Sequence, residues 1–86
     1  MPIEIKVQNL SEFLEKKVRV GGDMVPLFDF LLERAREVRV KPHRDVVKIK
    51  FRTKKYLYTV KLSPDEANKL LDEIKKRAPD LPIVSY

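Results

Sequence analysis

From Glu37 to Leu62 the chain reads EVRVKPHRDVVKIKFRTKKYLYTVKL, and apolar residues alternate with charged or polar ones along most of it. Successive side chains of a strand point to opposite faces, so such a stretch has one apolar side and one polar side. Pro42-His43-Arg44-Asp45 is a polar turn signal, and Thr53-Lys54 supplies a second turn. Pairing Lys41 with Val46 across the first turn sets Val40 opposite Val47 and Val38 opposite Ile49. Pairing Arg52 with Lys55 across the second sets Phe51 opposite Tyr56, Ile49 opposite Tyr58 and Val47 opposite Val60. Apolar partners then meet on the same face in both hairpins, and a one-residue slip would turn all of them away. The pattern predicts a three-stranded antiparallel meander. Val38, Val40, Val47, Ile49, Phe51, Tyr58, Val60 and Leu62 face its core, with Tyr56 and Tyr58 extending their hydroxyls to the rim.

The flanking segments read as helices and short strands. Ser63-Pro64-Asp65-Glu66 is a helix start, with Ser63 as cap, Pro64 as first helical residue and Glu66 completing a capping box. Ala67, Leu70, Leu71, Ile74 and Ala78 then share one face. Acidic residues lie in the first turn and Lys75, Lys76 and Arg77 in the last, as the helix dipole favours, and Pro79 ends the helix. A second helix spans Pro26 to Arg36, with Phe28, Leu31, Leu32 and Ala35 at helical spacing and Leu27 and Phe30 widening the stripe. A third and shorter one carries Leu10, Phe13 and Leu14 behind a cap at Asn9 or Ser11. Ile3, Ile5 and Val7 alternate as a short strand. Gly21-Gly22 marks a turn, because glycine tolerates positive φ; the longer pattern of a phosphate-binding loop is missing. Ile83 and Val84 form a short edge segment in an extended tail. With no internal repeat or linker, the reading is one α+β domain over residues 1–86, with its helices on the apolar face of a three-stranded antiparallel sheet and a basic opposite face.

Composition narrows the function. At 86 residues the chain suits one small domain with a thin margin of stability. It has no cysteine, which excludes disulfides, thiolate metal sites and a cysteine nucleophile. MPIEIKVQNL lacks the basic lead and apolar run of a signal peptide, and no stretch nears the ~20 apolar residues of a membrane span. The net charge of +6 is unevenly spread. Residues 1–30 hold four basic and five acidic side chains, residues 31–62 eleven and three, and residues 63–86 four and five. The whole excess therefore lies in the middle, the footprint of a polyanion binder.

The meander divides those cations by position. Arg39, Lys41, Lys48, Lys50, Arg52 and Lys61 fall on the polar face, with Val46, Leu57 and Thr59 among them. His43, Arg44, Lys54 and Lys55 lie at the turns. Like charges opposite one another across strands are destabilising, so a counter-charge is expected from outside. His43 is the single histidine, in a Pro-His-Arg turn with no ligand partner, so a metal site is not expected. No nucleophile elbow or acid–base pair is evident, so neither catalysis nor a cofactor or small-molecule substrate is expected. Lysines and arginines on a rigid sheet can instead neutralise phosphates and release counterions. Such contacts position a protein without reading sequence. Phe51, Tyr56 and Tyr58 are read as packing residues, since no RNP pattern accompanies them.

VKIKFRTKKYLYTVKLS resembles the central strands of the ribosomal protein L-thirty-eight-e family of archaeal and eukaryotic large subunits. Asp29-Phe30-Leu31-Leu32 is similar to that family's first helix, and the segment from Ser63 to Arg77 to its C-terminal helix. The resemblance covers roughly residues 29 to 78. Met1-Pro2 and Ser11-Glu12-Phe13-Leu14 also match that family's N-terminal helix, in which case residues 18–26 are an insertion; in the other alignment residues 1–28 are an N-terminal extension or insertion. The resemblance implies a cytoplasmic, non-catalytic α+β protein that packs on large-subunit ribosomal RNA beside neighbouring ribosomal proteins. On that reading the RNA-binding residues are Arg39, Lys41, His43, Arg44, Lys48, Lys50, Arg52, Lys54, Lys55 and Lys61. Two alternatives are a stand-alone nucleic-acid binder and a protein-interaction module with Phe28, Phe30 and Tyr86 exposed.

Overall fold

In the computed structural model, which describes residues 2–85, the middle of the chain forms the expected meander. Its strands are β4 (Glu37–His43), β5 (Val46–Arg52) and β6 (Leu57–Leu62), all antiparallel. The register differs from the expected one by two residues in each hairpin. Val38 pairs with Phe51 and Val40 with Ile49. Phe51 pairs with Tyr58, Ile49 with Val60 and Val47 with Leu62. Side chains alternate with a period of two, so a two-residue shift leaves each residue on its expected face. Val38, Val40, Ile49, Phe51, Val60 and Leu62 are buried, and Val47 and Tyr58 pack against the core from its margin.

The turns explain the shift. The first shortens to Arg44-Asp45, with His43 pairing Val46. The second lengthens to residues 53–56 because Thr53 closes it. The Thr53 N–H donates to the Tyr56 carbonyl at 2.9 Å. The Thr53 hydroxyl donates to the same carbonyl at 2.8 Å and accepts the Tyr56 N–H at 3.1 Å. Tyr56 is thereby taken out of the strand. It is 40% exposed rather than a core residue.

The sheet has five strands, not three, and it is mixed. β1 (Pro2–Ile5) lies parallel to β6, and β7 (Ile83–Ser85) lies parallel to β4, giving the order β1-β6-β5-β4-β7. A meander alone leaves two edges of unpaired backbone groups, and the two ends of the chain cover them. These strands are four and three residues long, so their alternation carries little signal. A second sheet is a two-stranded ribbon of β2 (Lys17–Val20) and β3 (Asp23–Pro26). Gly21 and Gly22 join them with φ of 59° and 91°, the pair of positive angles that a two-residue hairpin loop asks for.

Three helices cover one face of the large sheet. α1 (Leu10–Glu15) is only six residues long and is held at its start from two directions. Asn9 Oδ1 accepts the Glu12 N–H at 2.8 Å, as its spacing predicts. Glu66 Oε2 accepts the Leu10 N–H at 2.7 Å from 56 residues away. Glu66 therefore does not complete a reciprocal box on its own helix; Ser63 Oγ accepts the Glu66 N–H at 3.4 Å, and the carboxylate serves α1. α2 (Leu27–Arg34) is shorter than expected at both ends, because Pro26 is the last residue of β3 and Ala35 is already extended. α3 (Pro64–Arg77) has the expected bounds and buries Ala67, Leu70 and Ile74. Arg77 ties it to α2 by a 2.9 Å bond to Asp29 and by lying over the Phe28 ring.

Phe13 is the point where these layers meet. Its ring is fully buried, 5.8 Å from Phe28 of α2 and 6.3 Å from Phe51 of β5, nearly parallel to the latter. Replacing a buried Phe by Ala costs about 3–5 kcal/mol, a large share of the ~5–15 kcal/mol that holds a domain folded. Phe13→Ala is therefore expected to lower the urea-unfolding free energy by about 3–5 kcal/mol, and Phe13→Leu by less. A loss under about 1 kcal/mol for Phe13→Ala would show that the layers do not depend on this ring.

Candidate nucleic-acid interface

The observed register sets the cations in rows across the sheet. Lys41 lies opposite Lys48, and Lys48 opposite Lys61. Arg39 lies opposite Lys50, and Lys50 opposite Thr59. Glu37 lies opposite Arg52, which in turn faces Leu57. All alternate with Val38, Ile49 and Val60, whose side chains are fully buried beneath the helices, so they occupy the other side of the sheet. Lys48 and Lys50 are half-buried among their neighbours, while Lys41, Arg52 and Lys61 are exposed.

Two carboxylates enter this array. Glu37 Oε2 is 3.0 Å from Arg39 and 4.0 Å from Arg52. Glu4, brought alongside β6 by β1, is 3.5 Å from Lys61. Part of the charge is thus countered from within the chain, at Arg39, Arg52 and Lys61. Such exposed pairs contribute only ~0–1 kcal/mol each. Among the described residues, Lys41, Lys48 and Lys50 form no ion pair.

The turn residues are not gathered with one another. His43 and Arg44 stand at the start of β5, and Lys54 and Lys55 beyond its end. At ~3.3 Å per residue, the seven residues of β5 separate them by roughly 20 Å. His43 is exposed, and among the described residues no cluster of His, Cys, Asp or Glu suits a metal ion. Arg44 is the only described non-glycine residue with positive φ, at 55°. Left-handed backbone costs a side chain with a Cβ roughly 1–2 kcal/mol, so this position favours Gly or Asn on stability alone.

The second turn divides two clefts. One opens toward the cationic side of the sheet and is bounded by Arg39, Arg52, Lys54, Lys55 and Leu57. The other, of about 380 Å³, opens toward α2 and is bounded by Phe30, Arg34, Arg36, Tyr56 and Tyr58 with the turn residues. Arg34 and Arg36 are absent from the sequence-based set. Their charge is plain in the middle of the chain, but only folding carries them from the end of α2 to the side of this turn. Of the aromatic residues that a protein-interaction module would expose, Phe28 is 2% exposed and Phe30 is half-buried; Tyr86 lies outside the described residues. No described helix is long and apolar enough to cross a membrane.

Residues 30–80, which include all three central strands and α3, match the model of the ribosomal L38e protein family. The chain belongs to the ribosomal L38e protein family. It is 38% identical over 81 residues to the large ribosomal subunit protein eL38 of Aeropyrum pernix, an alignment that covers 94% of this chain and 96% of that protein. As a member of the L38e family it is a ribosomal protein and not an enzyme.

The strained turn yields a prediction in which stability and binding part. Arg44→Gly relieves the left-handed backbone and adds glycine's entropy cost of ~0.5–1 kcal/mol. The free protein is expected to stay as stable or to gain up to about 1 kcal/mol in a urea titration. If Arg44 contacts an RNA phosphate, affinity for RNA falls and the log–log salt slope becomes shallower by ~0.7–0.9. RNA affinity and salt slope unchanged in Arg44→Gly would exclude a phosphate contact by Arg44.

Proposed function

We propose that this chain is a structural constituent of the large ribosomal subunit in the cytoplasm, and that it binds ribosomal RNA through the cationic side of its sheet and through both turns. The observation that carries the reading is the run Lys41–Lys48–Lys61 with Lys50 beside it, a row of like charges across three strands that Glu4 relieves only at one margin. Phosphate oxygens would supply the missing counter-charge. Each contact releases condensed counterions, and that release drives association. The residues proposed to make these contacts are Arg39, Lys41, His43, Arg44, Lys48, Lys50, Arg52, Lys54, Lys55 and Lys61.

A rigid sheet suits this task. It holds the cations at fixed spacing, so little side-chain ordering is left for the moment of binding. Folded RNA is recognised largely through its shape, backbone and 2′-hydroxyls, which matches a surface with many cations and few base-reading amides. We read residues 1–86 as one RNA-binding domain. Within it, residues 1–28 serve the interface indirectly, through β1 at the sheet edge and Phe13 in the core. Neighbouring ribosomal proteins are the further partners, and the large-subunit name of the Aeropyrum relative supports this placement.

The protein is expected to co-sediment with large subunits through washes of moderate salt. Lys48→Glu/Lys50→Glu should release it at lower salt, because it loses contacts whose strength scales with phosphates neutralised. Recovery of the wild-type protein only in the free soluble fraction would refute the ribosomal reading. Tight, salt-sensitive binding to any isolated duplex in that case would favour a stand-alone nucleic-acid binder.

A further inference from the structure

The cleft between α2 and the second turn differs in kind from the cationic side of the sheet. Its floor is aromatic. The Phe30 ring meets Tyr58 edge-on at 6.4 Å, and Tyr58 meets Tyr56 at 6.1 Å and 61°. The Arg34 guanidinium lies 4.7 Å from the Phe30 ring centroid and closes one wall. Tyr56 is 40% exposed at the mouth. Arg36 and Lys54 stand at the rim, and no carboxylate is among the lining residues. Its volume of about 380 Å³ lies within the ~300–1,000 Å³ typical of small-ligand sites.

An exposed ring flanked by cations, open to solvent and free of carboxylates, has the chemistry of a stacking platform for single-stranded nucleic acid. The anion requirement at the rim disfavours an apolar peptide, and the aromatic floor has no use in gripping a regular duplex, whose bases are already stacked. We infer that the cleft receives an unpaired RNA nucleotide, its base stacked on Tyr56 and its phosphate held by Arg36 and Lys54. This rests on the RNA-binding reading of the chain and adds a second mode to it. The sheet meets phosphates of structured RNA, and the cleft takes a base that has left the stack. The turn lies between the two clefts, so a strand crossing Lys54 passes from one to the other. Thr53 holds that turn by its bonds to both backbone groups of Tyr56, which fixes the platform before RNA arrives.

The test uses the full chain and two fluorescent probes, a single-stranded RNA of about eight nucleotides and a blunt RNA duplex. Tyr56→Ala should weaken binding of the single strand on the order of tenfold and change duplex affinity less than about twofold. Tyr56→Phe should keep wild-type affinity, since a ring is all that stacking needs. A single strand of abasic sites should bind wild type and Tyr56→Ala equally. Thermal melts of the variants, followed by circular dichroism, check that the exposed substitution leaves the fold intact. The inference is overturned if Tyr56→Ala binds the single strand like wild type, if it loses the same factor on the duplex, if the single strand does not bind at all, or if an acidic peptide binds with the same dependence on Tyr56. Lys48→Glu/Lys50→Glu separates this site from the sheet. If that pair leaves both probes bound at wild-type strength while Tyr56 behaves as expected, the sheet reading fails and the cleft stands; a loss on the duplex alongside an inert Tyr56 shows the converse.

Discussion

The contact on which this fold turns is the Phe13 ring between Phe28 and Phe51. A six-residue helix does not hold its shape in water, because nucleation costs more than so few hydrogen bonds return. α1 exists because Phe13 is buried and because Glu66 supplies an acceptor to its first N–H. Through those two contacts the first part of the chain joins the same core as α2, α3 and the sheet. All the helices are thereby drawn to one side, and the other side of the sheet is left open.

That one-sidedness places Val38, Ile49, Phe51, Val60 and Leu62 under the helices and the cations that alternate with them on the other side, where Val46 and Leu57 also lie. The edge strands refine the division. β1 contributes Ile5 to the core and Glu4 to the outer side, so covering the edge also moderates the charge at Lys61. Glu37 does the same for Arg39 and Arg52 within β4 itself. Between these margins Lys41, Lys48 and Lys50 remain as neighbours without carboxylate partners among the described residues. Repulsion is kept at the centre while the margins are relieved, and the RNA-binding proposal rests on this arrangement.

The two turns use different means to project their cations. Arg44 accepts left-handed backbone so that a two-residue loop can close. Thr53 spends its hydroxyl as both donor and acceptor, widening the second loop and lifting Tyr56 out of the sheet. In each case local backbone chemistry, rather than core packing, decides where an exposed side chain points.

The alternation between Glu37 and Leu62 determined by itself which strand residues are core, Tyr56 at the turn excepted, because a period of two is indifferent to a two-residue slip. The capping residues and Pro79 determined α3, and Gly21-Gly22 determined the ribbon's turn, because these are local steric and hydrogen-bonding requirements. Membership in the family was legible in the YLYT stretch and its basic surroundings. The hairpin register lay beyond local reading, since Arg44 and Thr53 make loops that composition alone does not favour over the alternatives. The five-stranded mixed sheet lay beyond it too, because strands of three and four residues are defined by the edges they cover. The spacing from Ser63 makes Glu66 a cap for its own helix, and only the folded chain shows it capping α1 instead. Arg34, Arg36 and Tyr56 meet at one cleft because the end of α2 and the second turn converge there. That convergence is a long-range contact, and tertiary structure alone decided it.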